Sequence, residues 1–138
     1  MSFLLDTDVL AELARRKPEP RVMRWFRSVP EDALHLSVLA LGELRGAIEG
    51  AKGARREKLR VWVERELPER LGDRLLAITP AVADRWGRLL AVADRRIPAI
   101  DSLLAATALT HRLRIATRDV RAFRFPGLEV VNPWEAGG

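Results

Sequence analysis

The sequence contains no cysteine and no tyrosine, and only two histidines, two methionines and four phenylalanines. Without cysteine there can be no disulfide, zinc–thiolate centre, iron–sulfur cluster or thiol nucleophile. The two histidines, His35 and His111, are too few and too far apart for a histidine metal site or an evident proton relay. So little Phe and no Tyr argue against a multi-aromatic platform for stacking single-stranded RNA. There is no glycine-rich phosphate loop. No apolar run approaches the roughly 18 residues of a membrane span, and the opening Met-Ser-Phe-Leu-Leu-Asp lacks the basic region of a signal peptide. A cytoplasmic protein with no membrane segment is the expectation. Lysine is scarce as well: beyond Lys17, Lys52 and Lys58, arginine supplies all of the 24 positive charges.

What is present is a chain of 138 residues, 48% hydrophobic and 31% charged, with a net charge of +5. That length suits one domain spanning residues 1–138, and the charge favours a polyanionic partner. Short apolar runs alternate with amphipathic stretches. Strands are expected at Phe3–Leu5, Leu34–Val38, Leu75–Ile78, Arg114–Thr117 and Leu128–Val131. Helices are expected at Val9–Ala14, Glu19–Ser28, Ala40–Gly50 and Ser102–His111. A long charged helix with Leu59, Val63, Leu67 and Leu71 on one face is expected after Gly50. A further helix starts at Thr79-Pro80, in cap-then-proline order, with Ala83, Trp86, Leu90 and Ala93 as its core stripe. Strands separated by helices of this length imply crossover units, and so an α/β fold. The prediction is a central parallel sheet of about five short strands flanked by helices.

In such a sheet, ligands bind beyond the carboxyl ends of the strands. Four acids stand at such ends or on apolar helical surfaces: Asp6 after Phe3-Leu4-Leu5, Glu43 in Leu41-Gly42-Glu43-Leu44, Asp101 after Ile97-Pro98-Ala99-Ile100, and Asp119 after Ala116-Thr117-Arg118. Carboxylates in apolar settings are costly unless neutralised. A divalent cation neutralises them, and oxygen ligands suit Mg²⁺ or Mn²⁺. Each acid also has a plainer reading. Asp6, Asp8 and Asp101 fit helix caps, Glu43 an ordinary helical glutamate, and Asp119 a turn residue. Spacing alone does not bring the four together.

The ordered set Leu4-Leu5-Asp6-Thr7-Asp8-Val9-Leu10, Leu41-Gly42-Glu43-Leu44, Asp101-Ser102-Leu103-Leu104-Ala105-Ala106-Thr107-Ala108, Ala116-Thr117-Arg118-Asp119 and Val131-Asn132-Pro133-Trp134-Glu135 resembles the PIN-domain ribonucleases. Within them it is most similar to the VapC/FitB-type toxins of bacterial toxin–antitoxin pairs, over essentially the whole chain. The resemblance implies a PIN fold and a Mg²⁺- or Mn²⁺-dependent endoribonuclease whose acidic quartet is Asp6, Glu43, Asp101 and Asp119. It also implies an RNA substrate, a homodimer and a cognate antitoxin that covers the active site. Two positions depart from the family's pattern. Asp8 stands where the family usually has Asn, so that it either adds charge near the metal or points away as a cap. Many relatives carry Asp where Ala122 lies, whereas the acid here is Asp119, as in FitB-like members.

Under this reading Asp6 and Asp101 would contact the metal first, with Glu43 and Asp119 holding metal or ordering water. Thr117 would either support a carboxylate or serve simply as a β-branched strand residue. Arg15, Arg16, Lys17 and Arg118 are candidate RNA contacts, since the guanidinium fork matches phosphate. The arginines after Gly50 mingle with glutamates at helical spacing, as in Arg60–Glu64 and Glu66–Arg70, and read as a mixed-charge face. Two rival readings are a PIN module that binds RNA or a partner without cutting, and a small haloacid-dehalogenase-like phosphatase using the Asp6-Thr7-Asp8 triplet. The latter requires a lysine after a later strand, and none of the three lysines follows one.

Overall fold

Phe3, Leu4 and Leu5 form β1 (Phe3–Leu5), and all three side chains are buried. A strand apolar on both faces belongs in the middle of a covered parallel sheet. The computed structural model, which describes residues 1–135, puts it there. With β2 (Leu34–Ser37), β3 (Leu75–Leu76), β4 (Arg114–Ala116) and β5 (Val130–Val131), the sheet order is β3-β2-β1-β4-β5. Every neighbouring pair is parallel. In register, Phe3 lies opposite both Leu34 and Arg114, and Leu5 opposite Ala116.

From β1 the chain moves outward through β2 to β3, then returns across to β4 on the other side. The order therefore reverses between β1 and β4, and a crevice opens there at the carboxyl edge. Helices α1 (Thr7–Leu13), α2 (Pro20–Ser28) and α3 (Val38–Gly50) cover one face. So do α4 (Gly53–Val61), a wider π-helical turn at Trp62–Glu66, and α5 (Leu67–Leu71). Phe3, Leu5, Val9, Leu36, Leu44 and Ile48 are buried beneath them. Helices α6 (Pro80–Val92) and α7 (Ala99–His111) cover the other face, over Leu4, Ile115, Leu104 and Phe123. The alternation of Phe3 and Leu5 against Leu4 is the two-residue period of a strand, shared between two cores.

Three expectations need correction. The long helix after Gly50 is not continuous: it is α4, the π turn and α5. Pro68 has no N–H, and its ring would meet the Glu64 carbonyl in a regular α-helix. The Leu67 N–H bonds instead to the Trp62 carbonyl, five residues back. Its expected Glu66–Arg70 pair is absent among the described residues, because Arg70 pairs with Glu31, whereas Arg60–Glu64 is present at 2.6 Å. The core stripe of α6 is rotated by one residue. Val82 and Leu89 are buried and Trp86 partly so, while Leu90 is 40% exposed and Ala83 faces out. Trp86 decides the rotation, because its indole N–H donates to the buried Ser102 hydroxyl at 2.8 Å. Finally, the edge strands are shorter than expected: β3 holds only Leu75 and Leu76 of Leu75–Ile78, and β5 only Val130 and Val131 of Leu128–Val131. Among the described residues no helix is long and apolar enough to cross a membrane.

Candidate active site

Asp6 is the first residue past β1, and its own N–H bonds to the Ala116 carbonyl at 2.9 Å, across the β1–β4 crevice. Its backbone is extended and its side chain caps α1, with one oxygen accepting from the Thr7 N–H at 2.8 Å. The other oxygen accepts from the Thr117 hydroxyl, also at 2.8 Å. Thr117 is wholly buried just beyond β4, and its hydroxyl oxygen accepts from the Asp119 N–H at 3.1 Å. Asp8, in the first turn of α1, lies beside the same hydroxyl at 3.2 Å and accepts from the Arg118 N–H at 2.8 Å. Thr117 has one proton to donate, and the shorter contact gives it to Asp6. The capping and ligand readings of Asp6 are thus compatible: one oxygen caps, and the other faces the crevice.

Glu43 is on α3, whose start is set by the buried Ser37 hydroxyl accepting from the Leu39 N–H at 3.1 Å. It is exposed, and its carboxylate accepts from the Thr7 hydroxyl at 2.7 Å. Asp101 is not the cap of α7 that its position suggested. The helix begins at Ala99, and Asp101 lies in its first turn, where the partial positive charge of the helix end favours a carboxylate. Ser102 fixes that turn, donating to the Ala99 carbonyl at 2.9 Å while holding the Trp86 indole.

These side chains feel one another. Burial, and then the Asp8 charge, push the Asp6 carboxyl up to about 6, against the hydrogen bonds from Thr117 and Thr7; Glu43 adds to the rise. Asp8 is raised by burial, with Asp119 adding to it. Asp101 is raised by burial and by the charges of Asp119 and Glu43, and Arg95 opposes the rise. The structure therefore gathers Asp6, Glu43, Asp101 and Asp119 at one end of the crevice, with Asp8 as a fifth acid. The expectation that all four occupy apolar settings holds only for the half-buried Asp6 and Asp101, since Glu43 and Asp119 are open to solvent.

The donor set suits a hard divalent cation, being all carboxylate oxygen. One Asp8 oxygen is buried with no hydrogen-bond partner among the described residues, so a positive ligand would find an unmatched acceptor there. Among the described residues no three of these groups already meet around a single point. Thr7, which the sequence reading passed over, anchors Glu43; its signal was its place between the two aspartates.

The candidate RNA contacts divide. Arg118 is exposed beside the cluster, with its guanidinium 5.2 Å from the centre of the Trp134 ring. Arg15 pairs with the buried Glu12 at 3.3 Å. Together with Arg16 it lines a different feature, an apolar groove of about 810 Å³ between α1, α2 and the α4–α5 segment. Leu13, Met23, Phe26, Leu59 and Trp62 line that groove, and Arg55, Lys58 and Arg70 are among its basic residues. Lys17 is exposed in the turn between α1 and α2.

The PIN domain family model matches residues 3–128. The chain is 33% identical to VapC ribonuclease Y4jK of Sinorhizobium fredii, over 96% of this chain and 98% of the relative. It is also 33% identical to the toxin FitB of Neisseria gonorrhoeae, again over 96% of this chain and 98% of the relative. Among solved structures it is similar to the crystal structure of FitAcB from Neisseria gonorrhoeae. That match has a TM-score of 0.89 and 31% identity, and it covers 96% of this chain and 99% of that one.

Proposed function

The chain belongs to the PIN domain family, and from that premise we propose that it is a metal-dependent endoribonuclease, the toxin of a VapBC-type toxin–antitoxin pair. Relatives named a VapC ribonuclease and a FitB toxin, alike over nearly the whole chain, support the class. The observation that carries the mechanism is the gathering of five mutually repelling carboxylates at the β1–β4 crevice, one of them pushed up to about 6.

Asp6 and Asp101 would hold a Mg²⁺ or Mn²⁺ ion, with Glu43 and Asp119 completing its surroundings. Such a cation, when bound, supplies Lewis acidity: it lowers the pKa of water and offsets charge developing on the phosphate. The chain's own residues prepare that site. Thr117 holds one Asp6 oxygen in the crevice, and Thr7 holds Glu43 toward Asp6. Asp8 ties the loop carrying Asp119 to α1 through the Arg118 N–H. Because the metal-free Asp6 carboxyl is only half ionised near pH 6, protons compete there with the cation, so RNA cleavage at limiting Mg²⁺ or Mn²⁺ should fall as the medium is acidified through that value.

The cognate antitoxin is the second partner. The apolar groove with its basic residues suits an amphipathic segment carrying acidic flanks. A homodimer, as the resemblance implies, would cover exposed apolar residues such as Val92 on α6. The phosphatase reading finds no support: Lys17 lies after α1, Lys52 between α3 and α4, and Lys58 in α4. The test is direct. Purified protein freed of antitoxin should cleave RNA with Mg²⁺ or Mn²⁺ and stop with EDTA, and Asp6→Asn should abolish cleavage while staying folded. Undiminished cleavage by Asp6→Asn would sink the ligand assignment, and phosphate release from a small monoester without RNA cleavage would favour the phosphatase.

A further inference from the structure

Two guanidiniums flank the carboxylate cluster, and each is backed by an aromatic ring. Arg118, directly after Thr117, lies over Trp134, which packs against the α1–α2 core. Arg95, in the loop between α6 and α7, lies 5.5 Å from the centre of the Phe125 ring, which belongs to the opposite core. One Arg95 N–H is bonded to the Arg124 carbonyl at 3.4 Å. Both arginines are exposed, and among the described residues neither has a carboxylate partner in an ion pair. By contrast, Arg45, Arg56 and Arg60 on the α3–α4 side are all engaged by glutamates. A ring behind a guanidinium restricts its motion and leaves the edge N–H donors for a planar acceptor.

We propose that Arg95 and Arg118 are paired phosphate clamps, one over each layer of the fold, that hold the RNA strand across the carboxyl edge of the sheet. The scissile phosphate then comes to rest among Asp6, Asp101 and Asp119, with flanking phosphates on the two arginines. The strand runs from the α6–α7 loop toward Trp134 rather than past Arg15 and Arg16 along the groove. The clamps also offset the repulsion between RNA and five clustered acids, which Arg95 already moderates at Asp101. This inference rests on the ribonuclease reading and adds the path of the substrate to it.

The experiment measures binding of a short fluorescein-labelled single-stranded RNA by anisotropy, in EDTA so that no cleavage intervenes, at a series of salt concentrations. Arg95→Ala should weaken binding about tenfold, the worth of one charge-assisted contact. It should also lower the slope of log affinity against log salt by about 0.7, the value for one phosphate on a single strand. Arg95→Lys should restore the slope but only part of the affinity, because an ammonium lacks the fork. Arg118→Ala should behave like Arg95→Ala, and Arg85→Ala, an exposed arginine on α6, like wild type. In RNA cleavage with Mn²⁺, Arg95→Ala should raise KM and leave kcat close to wild type. Wild-type affinity and slope in Arg95→Ala, with RNA still cleaved, would overturn the clamp and leave the ribonuclease reading standing. A wild-type protein that neither binds nor cleaves RNA would overturn both.

Discussion

Thr117 shows how much one buried hydroxyl can organise. Its β-branched shape fits the end of β4, where it is wholly buried, and that plain role is one of the two its sequence position allows. The structure adds the hydroxyl, which donates to Asp6 and accepts from the Asp119 N–H. Valine keeps the shape and removes both contacts. Thr117→Val should therefore leave Asp6 without its crevice-facing donor and cost about 1–3 kcal/mol through unsatisfied buried groups. Cleavage should drop at least about tenfold, because a carboxylate free to turn no longer meets the metal in one orientation. Thr117→Ser keeps the hydroxyl and should retain most of the activity. Urea unfolding and RNA cleavage of the two variants check this. Equal activity in the valine and serine variants would reduce Thr117 to a packing residue.

At the scale of elements, the α4–α5 segment explains both the groove and a limit of sequence reading. Leu59, Val63, Leu67 and Leu71 recur every four residues, and a four-residue step overshoots a 3.6-residue turn by about 40° each time. The π turn at Trp62–Glu66 takes up that drift and lets the stripe stay on the core, while Trp62 comes to line the groove. An antitoxin segment laid in the groove would use that indole as an anchor. Trp62→Ala should weaken antitoxin binding by about 2 kcal/mol, roughly thirtyfold. The free toxin should still cut RNA. Titration calorimetry with the purified antitoxin measures the loss, and unchanged affinity would move the partner off the groove. The strands were readable because Phe3–Leu5, Leu34–Ser37 and Arg114–Ala116 are compact and mostly apolar, bounded by polar turns. The α6 stripe was misread because Ala83-Trp86-Leu90 and Val82-Trp86-Leu89 fit a helix equally well. Only the Trp86–Ser102 bond, between two helices, separates them. The acids were readable one by one, Asp6 and Asp119 from their places after strands and Glu43 and Asp101 from apolar helical surroundings. Their meeting was not, because it depends on a crossover that sets Thr117 against Asp6 from 111 residues away.

For the whole molecule, a net charge of +5 conceals a site of the opposite sign, and the two meet in how stability depends on pH. The Asp6 carboxyl titrates near 3.8 when unfolded and about 6 when folded. Between those values the folded chain keeps a proton that the unfolded chain has released, so stability falls as pH rises through the window. From Asp6 alone the fall amounts to at most about 3 kcal/mol, and Asp8 and Asp101, also raised, act with the same sign. The lowered Glu31, Glu57 and Glu64 act oppositely, but only below their ordinary value of 4.5; His35, lowered by burial, also acts oppositely, as pH rises toward 6.5. In EDTA the three raised aspartates together should outweigh His35, so that stability falls from about pH 5 toward pH 7. Asp6→Asn cannot ionise and should flatten much of that decline, making a disabled site more stable than the working one at neutral pH. Mn²⁺ or Mg²⁺ should reverse the decline in wild type, because a ligand bound only by the folded state stabilises it. The gain should be larger at pH 7 than at pH 5, where Asp6 holds its proton. Thermal melts of both proteins at the two pH values, with EDTA or Mn²⁺, separate these terms. A wild-type profile that is flat from pH 5 to pH 7 in EDTA would mean that burial and mutual repulsion do not hold these carboxyls up. The case for a cation at their centre would then lose its energetic basis.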